Sequence, residues 1–363
     1  MRRRYYGLIL GIAAIVFSLF SVRSTLPEKE ITSIDFLAFS EALNLSIIPM
    51  NKSDKILPFV GDSLLGYADL PENKLYVHPF KGRAAIDKDG WITYDRLATN
   101  LELYEKNGRK QPLQAYAYPW FKASWRVLLR ADQMGIALID KTGFILWEKE
   151  FPMPVTAIDA SSSFLAIGTL DGSISVFDRN GWAVLSIQAS LQESQTIYGL
   201  ALSGDSKYLI ILRGISPKKI ETYRFEDNSF AKLFESSLMV NTTFQATMAI
   251  AQDNSHAIMS FGDLLIYYNI KNKYYRILEA EMLGGDLSEN QTDVRYFVLG
   301  SLGDSLVAIL RSSLEDIASS DVLILNHGLL VHTAHGALGA IGEEEVIGFV
   351  YKDGVELLKG WQP

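Results

Sequence analysis

The sequence predicts an all-β fold built from repeated four-stranded antiparallel sheets. Short alternating or apolar runs recur along the chain, and clusters of Gly, Asn and Asp separate them. No long stretch of helical periodicity follows residue 30. The separators are alike: DKDG begins at residue 87, DKTG at 140 and DRNG at 178. Because Asn, Asp and Gly tolerate left-handed backbone conformations, we expect these tetrapeptides to form tight hairpin turns.

An apolar segment near the N-terminus precedes the repeats. Arginines occupy positions 2 to 4, and the 18 residues from Tyr5 to Val22 carry no charge. As a helix this run would span roughly 27 Å, close to the bilayer core. Arg23 makes Ser24 a poor cleavage site, so an anchor is favoured over a cleaved signal peptide. The expected organisation is residues 1–4 as a cytoplasmic tip, 5–23 as a transmembrane anchor or signal segment, 24–30 as a linker and 31–363 as the β-domain.

Charge and composition set the expected location and partners. Positive charges cluster before the apolar run, which favours a cytoplasmic N-terminus in a bacterial inner membrane and a periplasmic or extracellular C-terminal domain. The overall net charge is −8 and the N-terminal segment is basic, so the β-domain is acidic. Such a domain is a poor candidate for binding nucleic acid. The chain has no cysteine, which excludes disulfides, thiolate metal sites and cysteine nucleophiles.

A four-strand unit explains the spacing of the turns. Its clearest copy has strands at Val155–Asp159, Phe164–Thr169, Ser173–Asp178 and Trp182–Ile187. Similar copies occupy residues 119–149, 197–234, 244–278 and 294–333. One such sheet cannot bury both of its faces, so the units are expected to stack radially around an axis as the blades of a β-propeller. A pair of packed sheets in a β-sandwich is the alternative fold.

The number of blades follows from the length of the β-domain. Residues 31–363 divide into seven units of roughly 47 residues or eight of roughly 42. Seven blades are favoured and eight are the alternative, because residues 56–116 are irregular and could hold one and a half or two blades. Residues 345–359 supply two strands of the last blade. A strand from within residues 31–50 is expected to complete it and close the ring.

The repeat resembles those of WD40 and quinoprotein-type (PQQ-like) propellers over about residues 56 to 358. The Trp-Asp position of a WD40 repeat is occupied by Phe177 and Asp178, and the Gly-His pair is absent. A tryptophan-docking motif of the quinoproteins is not evident either. The resemblance implies the propeller fold. It also implies, by analogy with propellers of bacterial envelopes, a role as a scaffold, for instance in outer-membrane protein assembly.

No residue pattern predicts catalysis, a cofactor or a metal. Nucleophile-elbow, P-loop, HExxH and Rossmann motifs are missing from the sequence. His327, His332 and His335 lie close in sequence, but the odd separations place them on alternating strand faces. We therefore interpret them as exposed hairpin residues, with the alternative that a turn gathers two of them at a metal site. The run of glutamates from 343 to 345 is typical of a solvated loop.

An aromatic cluster, YAYPWFKASW at residues 116–125, is the candidate interaction surface. Tyr116, Tyr118, Trp120 and Trp125 are residue types that anchor protein interfaces. Packing between blades is the favoured alternative, because aromatic residues at strand spacing usually belong to the core.

The sequence thus predicts a membrane-anchored propeller outside the cytoplasm that acts as a protein–protein interaction scaffold. Its expected partners are envelope or membrane proteins, with no cofactor. The alternative is a propeller enzyme or a small-ligand sensor with its site at the central channel. Convergent titratable groups at one channel mouth would favour the enzyme, and a plugged channel with an aromatic rim would favour the scaffold.

Overall fold

The computed structural model describes residues 32–44, 55–106, 109–189, 195–240, 242–283, 294–302, 305–313, 320–343 and 346–359. These residues form 32 strands and two short 3-10 helices, at Phe39–Glu41 and Ala280–Leu283. The strands of the first half are β1 (Thr32–Ala38), β2 (Leu43–Asn44), β3 (Ile56–Val60), β4 (Leu64–Asp69), β5 (Lys74–Pro79), β6 (Arg83–Asp87), β7 (Gly90–Tyr94), β8 (Leu101–Glu105), β9 (Lys110–Leu113), β10 (Ala117–Lys122), β11 (Trp125–Arg130), β12 (Gly135–Ile139), β13 (Ile145–Glu150), β14 (Val155–Ala160), β15 (Leu165–Thr169) and β16 (Ile174–Phe177). Those of the second half are β17 (Ala183–Ile187), β18 (Ile197–Leu202), β19 (Tyr208–Arg213), β20 (Lys218–Glu226), β21 (Ser229–Leu238), β22 (Thr247–Ile250), β23 (His256–Phe261), β24 (Leu264–Asn269), β25 (Tyr274–Leu278), β26 (Val294–Ser301), β27 (Leu306–Ser313), β28 (Ser320–Asn326), β29 (Leu329–His335), β30 (Gly339–Glu343), β31 (Val346–Val350) and β32 (Gly354–Lys359).

The strands form eight four-stranded sheets, which are the blades of a propeller. Blades 2 to 7 are simple meanders, beginning with β6, β10, β14, β18, β22 and β26. The first strands of neighbouring blades contact one another, for example β14 with β18 and β22 with β26. They therefore surround the central axis. We define the upper face of the propeller as the one that carries, in blades 2 to 7, the turn between the first and second strands and the turn between the third and fourth strands. The opposite face is the lower face.

The expectation of seven blades is wrong, and the alternative of eight is confirmed. The irregular residues 56–116 hold three strands of blade 1 and all four strands of blade 2. Blade 1 contributes only three antiparallel strands of its own, β3 to β5, and takes its outer strand from upstream. That strand, β2, pairs with β5 in parallel over two residues. Because blade 1 uses a shorter stretch of chain, dividing the length of the β-domain by a constant repeat length gives too few blades.

The expected closure of the ring by an N-terminal strand is confirmed. In blade 8, β1 is the outer strand and pairs antiparallel with β32, from Thr32 opposite Lys359 to Ala38 opposite Gly354. Residues 345–359 hold two strands of this blade, β31 and β32, as the sequence indicated, and β30 at Gly339–Glu343 is a third strand that the sequence did not indicate. Both ends of the β-domain thus meet in one sheet.

The apolar core lies between adjacent blades. One cluster joins Trp125 and Val127 of blade 3 to Leu165 and Phe177 of blade 4. Similar clusters join blades 5 and 6, 6 and 7, and 7 and 8. Second strands are the most apolar because neighbouring blades cover both of their faces, as in β23, which is buried along its whole length. The apolar runs seen in the sequence are therefore the interface-forming strands.

The expected membrane segment at residues 5–23 lies outside the described residues. Within the part of the chain that the structure describes, no helix has the length and apolar character needed to cross a membrane.

A buried ionic network stabilises the inside of blade 5. The Glu221 carboxylate accepts hydrogen bonds from Arg213 Nη2 at 2.6 Å, Lys232 Nζ at 2.8 Å and Tyr223 Oη at 3.0 Å. Arg213 also donates to Gln195. Arg213 and Glu221 are both buried, so each charge depends on its partner for compensation.

A second buried cation in blade 5 has no carboxylate partner among the described residues. Lys218 is completely buried at the start of β20, on the lower face. Its Nζ donates to the Gly214 carbonyl at 3.3 Å and lies 3.4 Å from the centroid of the Tyr198 ring. Burial lowers the pKa of Lys218 to about 8. The folded state thus disfavours the charged ammonium.

Replacing Lys218 with Met is expected to stabilise the protein below pH 8, by more than about 1 kcal/mol. In wild type, the unfolded Lys218 holds its proton up to about pH 10.5 and the folded one only up to about pH 8. Wild-type stability should therefore rise relative to Lys218→Met between these values. Urea unfolding across this pH range measures the difference. Lys219→Met is the matched control, and an equal pH profile for both variants would refute the expectation.

Candidate functional site

The upper mouth of the central channel holds a cavity of about 390 Å³. Blades 3 to 8 all contribute to its lining, mostly from the ends of their first strands. The lining is dominated by aliphatic and small residues, with serine hydroxyls, one glutamine and one lysine: Lys122, Ala123, Ala160, Ser161, Ser162, Leu202, Gly204, Ala249, Ile250, Gln252, Leu299, Gly300, Ser301, Leu302, Ala340, Ile341 and Gly342.

The charge at this mouth is neutralised by a bridge between three blades. Lys122 Nζ of blade 3 lies 2.5 Å from Asp159 Oδ1 of blade 4. The other oxygen, Asp159 Oδ2, accepts a hydrogen bond from the Leu202 backbone N–H of blade 5 at 2.7 Å. Asp159 is buried, so its carboxylate serves blade-to-blade contacts. Among the described lining residues no carboxylate converges on the cavity.

The channel wall is apolar at blade 7. On β26, Tyr296 and Val298 are buried, and the alternating Phe297 and Leu299 are exposed. Since β26 is an innermost strand, we infer that the exposed pair faces the channel. The mouth therefore offers aliphatic and aromatic surface with few polar groups.

The four aromatic residues of the candidate interaction surface are not gathered on one surface. Tyr116 is 72% exposed and precedes β10 at the lower face. Tyr118 packs edge-on against Tyr94, and Trp120 is partly buried in the core shared by blades 3 and 4. Trp125 is completely buried.

Trp125 instead fastens blade 3 to blade 4. Its Nε1 donates to the Ser161 carbonyl at 2.8 Å. The Arg179 guanidinium lies 4.0 Å from the ring centroid and also donates to the carbonyls of Ala123, Ser124 and Ser162. These contacts agree with the alternative interpretation, in which Trp125 packs in the core between blades.

A group of exposed apolar residues on blades 3 and 4 was missed by the sequence reasoning. We call Phe144, Ile145, Leu146 and Trp182 the rim patch. Phe144 and Trp182 are 69% and 74% exposed, and Ile145 and Leu146 are exposed beside them on β13. Both aromatic residues directly follow the Gly of a DxxG turn on the upper face. In the sequence, the aromatic residue directly after each of these DxxG turns was the signal that could have identified this group.

Trp147 of blade 3 supports the turn of blade 4 that precedes Trp182. Trp147 Nε1 of β13 donates to the Arg179 carbonyl of the next turn at 3.0 Å. A Cβ at Gly181 would lie 3.1 Å from the Trp147 ring, so the turn lies directly against the indole. A β-bulge separates Ile145, which lies opposite Ile139, from Trp147, which lies opposite Leu138, so Ile145 and Trp147 are on opposite faces of β13. The rim patch therefore consists of exposed apolar residues at equivalent positions of two neighbouring blades, and Trp182 directly follows the turn that packs on Trp147.

The three histidines near the C-terminus separate in the structure. The His332 ring packs on Phe349 at 5.2 Å, and His335 Nδ1 lies 3.2 Å from Asp321 Oδ1. His327 lies instead beside His256 of blade 6, with ring centroids 5.1 Å apart. No group of three or more His, Asp or Glu side chains suited to a metal ion is found in the described residues. Residues 344 and 345 of the glutamate run lie outside them.

A family model described as beta-propeller protein matches residues 40–282, more than half of the chain. The chain belongs to this β-propeller family. The resemblance to propeller repeats is thereby confirmed. No curated protein matches the sequence.

Solved structures share the propeller fold at low sequence identity. BamB from Moraxella catarrhalis is 14% identical with a TM-score of 0.55, and the alignment covers 92% of this propeller and 98% of BamB. The computationally designed Ika8 protein is 13% identical with a TM-score of 0.53, covering 91% and 98%. Hsv2 from Kluyveromyces marxianus is 10% identical with a TM-score of 0.53, covering 75% and 89%. These similarities show the fold alone.

Proposed function

We propose that the protein is a membrane-anchored, extracytoplasmic propeller that acts as a protein–protein interaction scaffold in the bacterial cell envelope. Its partners are envelope or membrane proteins. The apolar segment at residues 5–23 anchors it in the inner membrane with a cytoplasmic N-terminus. The observation that carries the proposal is the rim patch, since exposed clusters of aromatic and aliphatic residues mark binding surfaces.

The arrangement of charge supports a scaffold over an enzyme. At the channel mouth the Asp159 carboxylate is held by Lys122 and by the Leu202 N–H. Perturbed, convergent titratable groups are what a catalytic site requires, and the cavity lining brings none together among the described residues. The rim patch, in contrast, offers two bulky exposed aromatic side chains, and Trp147 holds the turn before Trp182.

The experiment is crosslinking and affinity capture of the full chain from native membranes, with mass spectrometry of the captured proteins. Trp182→Ser is expected to reduce recovery of specific partners at least about tenfold, because truncated aromatic anchors typically cost 2 kcal/mol or more. Leu97→Ser is the matched control: Leu97 is 70% exposed but lies in the second turn of blade 2, on the lower face. Equal losses for both variants, or capture of the chain alone, would overturn the scaffold.

Anchoring has its own test. The protein extracted from membranes is expected to retain residues 1–23 in its intact mass. Protease added to spheroplasts should digest the β-domain from outside. A mature chain beginning after residue 23 would instead establish a cleaved signal segment.

The channel mouth supports a second candidate, a small-ligand sensor. A cavity of about 390 Å³ with mainly apolar lining and a few hydroxyls falls within the size range of ligand sites. Metabolites that co-purify with the wild-type protein and are lost in Leu299→Arg would support this function.

A further inference from the structure

A buried histidine at the junction of blades 6 and 7 has an unpaired ring nitrogen. His256 is completely buried, and its Nε2 has no hydrogen-bond partner among the described residues. The ring stacks on Tyr267 at 5.1 Å, and the exposed His327 approaches it from the turn between β28 and β29. An unsatisfied polar atom in such a position normally costs free energy, and it calls for a ligand.

The hydrogen bonds of the neighbouring turn fix the tautomer of His256. Ser255 Oγ lies 2.7 Å from Asp253 Oδ1 and 2.8 Å from His256 Nδ1. A carboxylate only accepts, so the single hydroxyl proton of Ser255 is donated to Asp253. Ser255 Oγ must then accept a hydrogen bond from Nδ1–H. His256 therefore carries its proton on Nδ1 and presents a lone pair at the unpaired Nε2.

This arrangement is that of a metal-ligating imidazole. Histidine ligands typically donate the second ring N–H to an oxygen acceptor that is itself oriented by a carboxylate, and Asp253 and Ser255 form such a chain. Burial of His256, and next the charge of His327, lower its pKa to about 4.

The spacing of the two rings suits a shared ion. With metal–nitrogen bonds of about 2.0–2.1 Å and tetrahedral geometry, two imidazole centroids lie roughly 5 Å apart. The centroids of His256 and His327 are 5.1 Å apart. We infer that His256 and His327 form a binding site for a divalent first-row cation such as Zn²⁺, whose remaining positions are taken by water. Asn326 Oδ1, buried with no partner in the described part of the chain, is an acceptor for such water in the same turn.

One cation lies close to this site. Arg276 Nη2 donates to the carbonyls of His327 and Gly328, and its guanidinium lies 5.0 Å from the Tyr267 centroid. These contacts hold the turn that carries His327. The positive charge weakens the attraction for a metal ion, and only two protein donors are present. We therefore expect a dissociation constant in the micromolar range, weaker than that of structural zinc sites.

The test is calorimetric titration of the chelator-treated full chain with Zn²⁺ alone. Wild type is expected to bind one ion. His327→Asn should weaken binding at least about tenfold, since one of two nitrogen ligands is lost. Asn suits this position because His327 has a φ of 48°. His335→Asn, on the same blade, is the matched control and should bind like wild type.

A further variant tests the fixed tautomer. Ser255→Ala removes the acceptor of Nδ1–H and leaves both imidazoles, so Zn²⁺ affinity should fall about 10–100-fold. No saturable binding by wild type, or equal affinity of His327→Asn and wild type, would overturn the site.

Discussion

Glu221→Ala is expected to destabilise the folded protein by about 3–5 kcal/mol. The substitution leaves the Arg213 guanidinium buried without its carboxylate, which now lies 2.6 Å away. It also removes the acceptor of Tyr223 Oη. Removal of one member of a buried pair costs more than the pair contributes, because the remaining charge stays desolvated. Equilibrium urea unfolding, followed by tryptophan fluorescence, measures the effect.

Two variants control for this interpretation. Glu235→Ala removes a carboxylate that binds the same Lys232 at 2.6 Å but is partly exposed, so its cost should stay below about 1 kcal/mol. The double variant Arg213→Met, Glu221→Leu removes both buried charges and should be more stable than Glu221→Ala alone. A double variant as unstable as the single one would refute the charge argument.

Trp125→Ala is expected to cost about 3–5 kcal/mol of the free energy of unfolding. The indole is completely buried, packs on Trp147 at 6.4 Å and accepts the Arg179 guanidinium on its face. Its loss opens a cavity between blades 3 and 4 and leaves the Ser161 carbonyl without its donor. Thermal unfolding monitored by circular dichroism provides the measurement.

Trp182→Ala is the matched control, since it removes the same side chain from a site that is 74% exposed. Its effect on stability should lie within about 0.5 kcal/mol. The two substitutions should thus have different effects: replacing Trp125 lowers the stability of the fold, and replacing Trp182 lowers the recovery of partners. Similar losses of stability for both would contradict the burial of Trp125.

Local turn chemistry made most of the fold predictable. In blade 4 the Asp171-Gly172 turn and the DRNG turn at 178–181 separate short alternating runs, and β14 to β17 lie where the sequence indicated. Blade 1 escaped prediction because β2 reaches β5 from upstream and pairs in parallel. Such a pairing leaves no hairpin signal. The closing strand was predictable because an incomplete last blade needs a partner.

The candidate site was harder to predict, because it depends on contacts between blades. Ala123 and Ser124 have φ values of 49° and 63°, so the chain reverses tightly before Trp125. Alternation counted across that turn cannot tell which aromatic side chains are exposed. His256 and His327 meet only through the packing of blade 6 on blade 7. The sequence spacing of His327, His332 and His335 gives no sign that the neighbour of His327 is His256.

The seam between β1 and β32 constrains how the molecule is made. β1 is synthesised before every other strand of the domain, and its partner β32 is synthesised last. Until then, blade 8 has no strand to receive it, and the ring has an open edge. Closing a loop of about 300 residues carries a large entropic cost before any contact compensates it. Completion of the ring is therefore a late folding event, and nascent or truncated chains expose an edge that chaperones or aggregation partners can bind.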